Sequence, residues 1–371
     1  MTARGPLKGV RMLEFAGLGP APFAGMMFSD MGAEVLRIER RGGSKGAEQL
    51  IERGRCSITL DLKQPRAVEL CLKLCERADA VFEGFRPGVM ERLGLGPDVM
   101  LARNARLVYG RMTGWGQYGP CASAAGHDIN YLALSGALSC IGTEEKPVPP
   151  LNLVADYGGG SMFLIAGILA AMMHARATGQ GQVVDAAMTD GAAYLTTLYY
   201  AMSASGDWVD RRRANLLDGG APFYDTYRCA DGKWVSIGSL EPQFYALLLE
   251  KIEAVDALPQ AQMERRSWPD MQCVLREIFA KKTRQEWCEL LENTDVCFAP
   301  VLSLAEAPAH PHNVARQTFV EAGGVFQPAP APRFSATPSA IQSSPAPSAG
   351  PSAAQEALEA WGIDLASIEE P

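Results

Sequence analysis

Short apolar runs alternate with helix-like stretches through the first 120 residues, and this alternation leaves few folds open. Residues 10–15, 34–38, 57–60, 80–83 and 107–112 read as strands. Between them, residues 21–31 and 65–77 and a stretch opening at 89–93 carry helical spacing. Strands that are separated by helices pair parallel, with the helices as crossovers. The expected fold class is therefore α/β, with a large doubly wound, Rossmann-like domain. The pattern continues with a helix over 158–177 that has a glycine-rich start, a strand at 183–187 and a helix at 190–202.

Around Gly219 the character changes. Residues 227–235 read as a hairpin turning at Asp231-Gly232, and mostly helical segments follow to about 310. That suggests a smaller α+β domain. Seven of the 25 prolines lie between 327 and 351, which predicts an extended strap, and a short helix at 353–361 closes the chain. The expected boundaries are 1–218 for the first part of the large domain, 219–320 for the small domain and 321–371 for the strap and helix.

Charge and cysteine usage exclude several function classes. Lys and Arg number 34 against 42 Asp and Glu, a net charge of -8, so no nucleic-acid partner is expected. The nine cysteines are odd in number and form no CxxC pair. Cys71 and Cys75 share a helix face, but no second pair completes a zinc site. The first fifteen residues hold no signal-peptide core. The longest apolar run, 162–173, falls short of a bilayer span and is followed by His174 and Arg176. No membrane insertion is expected, and reduced thiols suit an intracellular protein.

Three groups of residues carry candidate chemistry. Gly17-Leu18-Gly19-Pro20-Ala21-Pro22, with Glu39 downstream, imitates a dinucleotide fingerprint. Pro22, however, stands where the third glycine belongs, and its ring crowds the helix–strand approach. A tight strand-to-helix turn is the better reading, and no nicotinamide cofactor is expected. Arg37 and Arg40 follow the second strand. Gly84-Phe85-Arg86-Pro87-Gly88 follows the fourth, with Arg92 beyond it. Loops after parallel strands hold ligands, and guanidinium groups converging there suit phosphates. Singly, each arginine reads better as a solvated charge, and only the group suggests a phosphate site.

Of the four histidines, His127 stands apart in Gly126-His127-Asp128-Ile129-Asn130-Tyr131, at the start of a helix-like stretch. The positive end of a helix favours a neutral imidazole, which is a base. Asp156 precedes Tyr157-Gly158-Gly159-Gly160-Ser161 and sits where a helix N-cap belongs. The glycine run also leaves space for a ligand beside its carboxylate. Periodicity alone favours the N-cap, and composition does not decide between the two roles.

Longer motifs then converge. Residues 5–11 (GPLKGVR), 30–35 (DMGAEV), Arg86-Pro87-Gly88, 93–96 (LGLG) and 114–120 (GWGQYGP) resemble the family III CoA-transferases. Residues 126–131, Asn152 with Asp156, and Leu217-Asp218-Gly219-Gly220 look like the α-methylacyl-CoA racemase branch of that family. The resemblance implies an interlocked homodimer whose large domain uses both chain ends. Its active site would lie where that domain meets the small domain of the other subunit. The implied reaction inverts the α-carbon of a 2-methylacyl-CoA thioester by two-base proton transfer through an enolate. CoA is part of the substrate, and no metal or redox cofactor is implied.

By position, the resemblance makes His127 the base for the (S)-thioester and Asp156 the base for the (R)-thioester. Glu241 would hydrogen-bond the histidine across the dimer, and Asn152 would orient the aspartate. It assigns substrate and CoA binding to Arg40, Leu60, Asp61, Leu62, Lys63, Gly84, Phe85, Arg86 and Arg92, and to Gly126, Asp128, Ile129, Asn130 and Tyr131. Backbone N–H groups near Asp128 would face the enolate oxygen. Met188 and residues 194–202 would wall the acyl pocket or simply pack the core. The alternative is a family III CoA transferase with Asp156 as a covalent nucleophile. A histidine base opposite it, and the lack of a GGGGQ-type loop between 220 and 270, argue for proton transfer. A chain ending in Ser-Ile-Glu-Glu-Pro carries no peroxisomal signal there, so a cytoplasmic location is expected.

Overall fold

The computed structural model describes residues 4–40, 48–258, 261–342 and 351–363. Six strands form one sheet: β1 (Arg11–Phe15), β2 (Glu34–Glu39), β3 (Cys56–Thr59), β4 (Ala80–Glu83), β5 (Val108–Thr113) and β6 (Gln182–Ala187). Their order is β3-β2-β1-β4-β5-β6, and every pairing is parallel. Each expected strand lies within one residue of the observed one. Continuous burial explains this, since all residues of β4 and β5 are inside.

The strand order reverses between β1 and β4, and the loops after these two strands flank the crevice where such sheets bind ligands. The loops run close together: a Cβ on Gly17 would lie 3.8 Å from the Gly84 Cα. One core cluster joins Leu13, Leu36, Val81 and Tyr109 of the sheet to Leu70, Cys71, Leu74 and Cys75 of the helix Pro65–Cys75. Burial pushes the thiols of Cys71 and Cys75 up to about 12, so both behave as apolar packing groups. Leu358 and Trp361, at and just past the end of the helix Pro351–Ala360, belong to the same cluster. Arg11 lies over the Trp361 ring at 5.6 Å.

The helix expected at 158–177 starts earlier. A π-helical segment, Leu153–Ser161, runs directly into the helix Met162–Thr178. Together they make 26 residues, apolar and long enough to cross a membrane by length and composition alone, which corrects the shorter run read from sequence. The segment packs on the sheet instead. Leu164 and Ile168 reach Gly110 of β5, and Gly167 meets Val184 of β6. The helix expected over 190–202 is broken at Thr196, whose hydroxyl turns back to the Ala193 carbonyl at 2.7 Å; Met188–Leu195 and Thr197–Ser205 result.

The chain clusters into two compact units. One takes in residues 1–136, 150–196 and 317–371; the other takes in 137–149 and 197–316. Composition had put the boundaries at 218 and 320. The second unit holds an antiparallel sheet of β7 (Tyr224–Arg228), β8 (Trp234–Gly238) and β9 (Phe298–Val301). Its β7–β8 pair is the hairpin expected from Asp231-Gly232, with longer arms. β9 contains Pro300, which reads against a strand but is tolerated at a sheet edge. In the first unit, β10 (Phe319–Ala322) and β11 (Val325–Pro328) form a hairpin over Gly323-Gly324, which corrects the start of the irregular strap. Both glycines have the positive φ that such a turn requires.

Candidate active site

The loops at the β1–β4 crevice open onto a cavity of about 400 Å³. Leu18, Gly19 and Pro20 line it after β1, and Gly84, Phe85, Arg86 and Pro87 line it after β4. Met112 to Trp115 continue the wall from β5, and Gly126, His127, Tyr131, Asp156 and Met188 complete it with Ala122, Ala124 and Ala125. Both proposed bases thus face one space.

His127 is the N-cap of the helix Asp128–Leu134, with extended backbone (φ −132, ψ 175). Asn130 Oδ1 accepts the His127 N–H at 3.0 Å and locks the helix start. The imidazole is exposed. Tyr131 donates its hydroxyl to the Gly126 carbonyl and sets its ring edge-on to Trp115 at 4.7 Å. Asp128 turns the other way. It is 6% exposed, and its Oδ2 accepts the N–H groups of Ala155 at 2.9 Å and Asp156 at 2.7 Å.

Asp156 is not a helix N-cap, which corrects the reading from periodicity. It sits inside the π-helical turn whose N-cap is Asn152, and Asn152 Nδ2 donates to Asp156 Oδ2 at 3.3 Å. The turn starts early because the Asp128 carboxylate, a side chain distant in sequence, takes up its orphan N–H groups. Burial raises the Asp156 carboxyl above the ordinary aspartate range; the Asn152 bond opposes this, the Asp128 charge adds to it and His127 lowers it. The carboxylate faces Gly19, where a Cβ would stand 3.6 Å from Oδ2. The glycines after Asp156 serve packing rather than ligand access. A Cβ on Gly159 would lie 2.6 Å from the Ala192 backbone nitrogen, and one on Gly160 would lie 2.9 Å from Met188.

A second cavity, of about 680 Å³, opens at the ends of β2 and β3 and is lined by Arg40, Thr59, Leu60, Asp61, Leu62, Lys63 and Leu93. Asp61 shapes its rim: Oδ1 accepts the Lys63 N–H at 3.1 Å and Oδ2 accepts from Gln64 at 3.3 Å. These bonds hold its carboxyl below the usual range. Arg40 and Lys63 supply the positive charge there.

Other sequence expectations fare differently. Arg37 is not a phosphate ligand. It is 3% exposed and bound to Glu39 and Glu52, each at 2.7 Å. Glu39 holds Arg37 through its Oε2. Arg92, Asn152, Asp128, Ile129 and Asn130 line neither cavity. Glu241 lies in the second unit as the exposed N-cap of the helix Pro242–Lys251. Met188 lines the first cavity. Tyr194 is 71% exposed and the helix Thr197–Ser205 buries no residue, so within 194–202 the buried residue is Thr196.

Sequence reasoning missed a set of buried charges behind the site. Glu83 ends β4 and Arg111 lies opposite it on β5. Arg111 Nε donates to Glu83 Oε1 at 3.2 Å, and the guanidinium also grips Glu91 at 2.8 and 3.3 Å. A glutamate in an otherwise apolar strand was the available signal. Among the described residues, no group of three or more His, Cys, Asp or Glu could hold a metal ion.

A family model described as CoA-transferase family III matches residues 7–352. The chain belongs to CoA-transferase family III. It is 45% identical to the α-methylacyl-CoA racemase of Mus musculus over 364 residues, covering 98% of this chain and 95% of that protein. The Homo sapiens α-methylacyl-CoA racemase is 45% identical over 335 residues, covering 90% and 87%. Among solved structures, Rv3272 from M. tuberculosis in its orthorhombic form superposes with a TM-score of 0.76 at 28% identity, covering 92% of this chain and 96% of that one.

Proposed function

We propose that this protein interconverts the (R) and (S) forms of 2-methylacyl-CoA thioesters. The observation that carries the reading is the shared cavity of His127 and Asp156, beside the Arg86 loop. The 45% identity to two α-methylacyl-CoA racemases over most of the chain supports it.

A thioester acidifies its α-proton because the resulting anion delocalises onto oxygen. Inversion then needs one base on each face of the α-carbon, each worth roughly 10²- to 10⁴-fold. Asp156 takes the proton from the (R)-ester while His127 returns one to the opposite face, and the (S)-ester reverses the roles. The upward shift at Asp156 suits a group that must both accept and donate. Asn152 keeps its carboxylate oriented. N–H groups at the start of the helix Asp128–Leu134 are the donors offered to the enolate oxygen.

Arg40, Lys63, Arg86 and Arg92 are assigned to the phosphates and the nucleotide end of CoA, whose remote binding energy serves the chemistry. Racemisation changes no oxidation state, so the reading uses no redox cofactor; it gives the enolate oxygen to backbone N–H groups rather than to a metal and treats CoA as part of the substrate. The assembly assigned is an interlocked homodimer in which the partner subunit's Glu241 supports His127. Nine cysteines with no CxxC pair among them suit the reducing cytoplasm, where we place the protein.

Single substitutions test the assignment. His127→Ala and Asp156→Ala are each expected to abolish racemisation, whereas Arg92→Ala mainly raises KM. Full racemisation by either base variant contradicts the two-base reading. Transfer of CoA to a free acid that survives in His127→Ala and is lost in Asp156→Ala identifies a transferase instead.

A further inference from the structure

The loop after β4 is held from both ends by one guanidinium. Glu83 has no exposed surface, and its Oε2 accepts the N–H of Phe85 at 2.6 Å while Oε1 accepts Arg111 Nε at 3.2 Å. Arg111 reaches on to both oxygens of Glu91, on the helix Val89–Arg92 just past the loop. Gly84, Phe85, Arg86 and Pro87, enclosed between these anchors, all line the cavity that holds His127 and Asp156. An apolar cross-strand pair would brace the sheet equally well without burying charge, and buried ion pairs are seldom a source of net stability. What the charged pair adds is a fixed backbone at Phe85 and a fixed start for Arg86.

We propose that Glu83 is a positioning residue for CoA-ester binding, holding the loop Gly84 to Pro87 through Phe85 and Arg111 and releasing it on protonation. The proposal rests on the acyl-CoA reading above. Burial pushes the Glu83 carboxyl up to about 7, against the lowering effects of the Phe85 N–H and Arg111. The charged and titratable groups that act on it are Arg111 and Tyr109 of β5 and Glu91 beyond the loop. A neutral carboxyl keeps one carbonyl acceptor and gains an O–H donor, so it cannot accept from both Phe85 and Arg111. Acid therefore removes one of the two loop anchors.

Glu83→Gln imitates the protonated side chain at every pH, because its amide also offers one acceptor and one donor group. The probe is 2-methylpropanoyl-CoA, whose α-carbon is not stereogenic, so that binding is measured without net reaction. At about pH 8.5 the variant is expected to bind it about three- to tenfold more weakly than wild type, and the two converge at about pH 5.5. Titration of the CoA phosphates is common to both proteins and cancels in the ratio. Amide hydrogen exchange of the unliganded protein should show faster exchange at Phe85 in the variant at the higher pH. Glu91→Gln, altering a half-exposed partner, serves if Glu83→Gln does not fold, and a smaller weakening is expected of it. A Kd ratio that stays constant across pH, or unchanged Phe85 exchange, overturns the proposal and leaves Glu83 a structural brace. An ester that binds neither protein contradicts the CoA reading and the proposal with it.

Discussion

The carboxylate of Asp128 accepts the backbone N–H of Asp156 at 2.7 Å. Asp128 follows His127 directly in the chain, so one buried side chain ties the segment bearing one proposed base to the segment bearing the other. Removing it leaves two N–H groups without their acceptor, at a cost of roughly 1–3 kcal/mol. Asp128→Ala should lower kcat for racemisation about 10- to 100-fold with a smaller change in KM, because a small misplacement of a base weighs most on the transition state. Steady-state kinetics on both enantiomers check this, with Asp128→Asn expected in between.

Asn152 sets the proton affinity of Asp156 through their 3.3 Å hydrogen bond, which favours the charged carboxylate. Burial already raises that carboxyl, so the base is ready only above the ordinary aspartate range. Removing the bond in Asn152→Ala raises it further. The acid limb of kcat/KM for the (R)-ester should therefore move to higher pH in this variant, as pH–rate profiles of the two proteins would show. A shift to lower pH would contradict the assignment.

The rim of the β2–β3 cavity carries Arg40 and Lys63. Each faces solvent-accessible phosphate in the proposed complex, so each contact is worth about a tenfold change in affinity. Arg40→Ala and Lys63→Ala should raise KM for any acyl-CoA about tenfold at low salt and leave kcat near wild type. Competition by free CoA against the ester measures the same loss directly.

A stability prediction follows from Glu14, which has no exposed surface and takes Arg55 at 2.5 Å and Arg37 at 3.5 Å. Glu14→Ala strands a buried guanidinium, which costs about 3–5 kcal/mol. Denaturant unfolding should show that loss, whereas Arg103→Ala, which breaks two half-exposed pairs, should stay within about 1 kcal/mol.

The six-stranded sheet was legible in the sequence because its strands are short apolar runs buried along their length, so local composition and tertiary fate agree. β9 was not, because Pro300 argues locally against a strand that the sheet edge tolerates. The π-helical turn was missed for a related reason. Its N–H groups are capped by a carboxylate 28 residues away, which no local pattern records. His127 and Asp156 stood out as polar residues beside glycines, yet spacing left Asp156 an apparent N-cap, and only the family resemblance gave it a partner. The Glu83–Arg111 pair lies across two strands, likewise 28 residues apart, and becomes visible once the register is known.

The most direct measurement incubates one enantiomer of a 2-methylacyl-CoA with the protein in deuterated water, with a free carboxylic acid present. The two-base account predicts deuterium at the α-carbon together with loss of optical purity, and no CoA passed to the acid. Transfer of CoA to the acid without α-exchange would contradict it and make Asp156 a nucleophile.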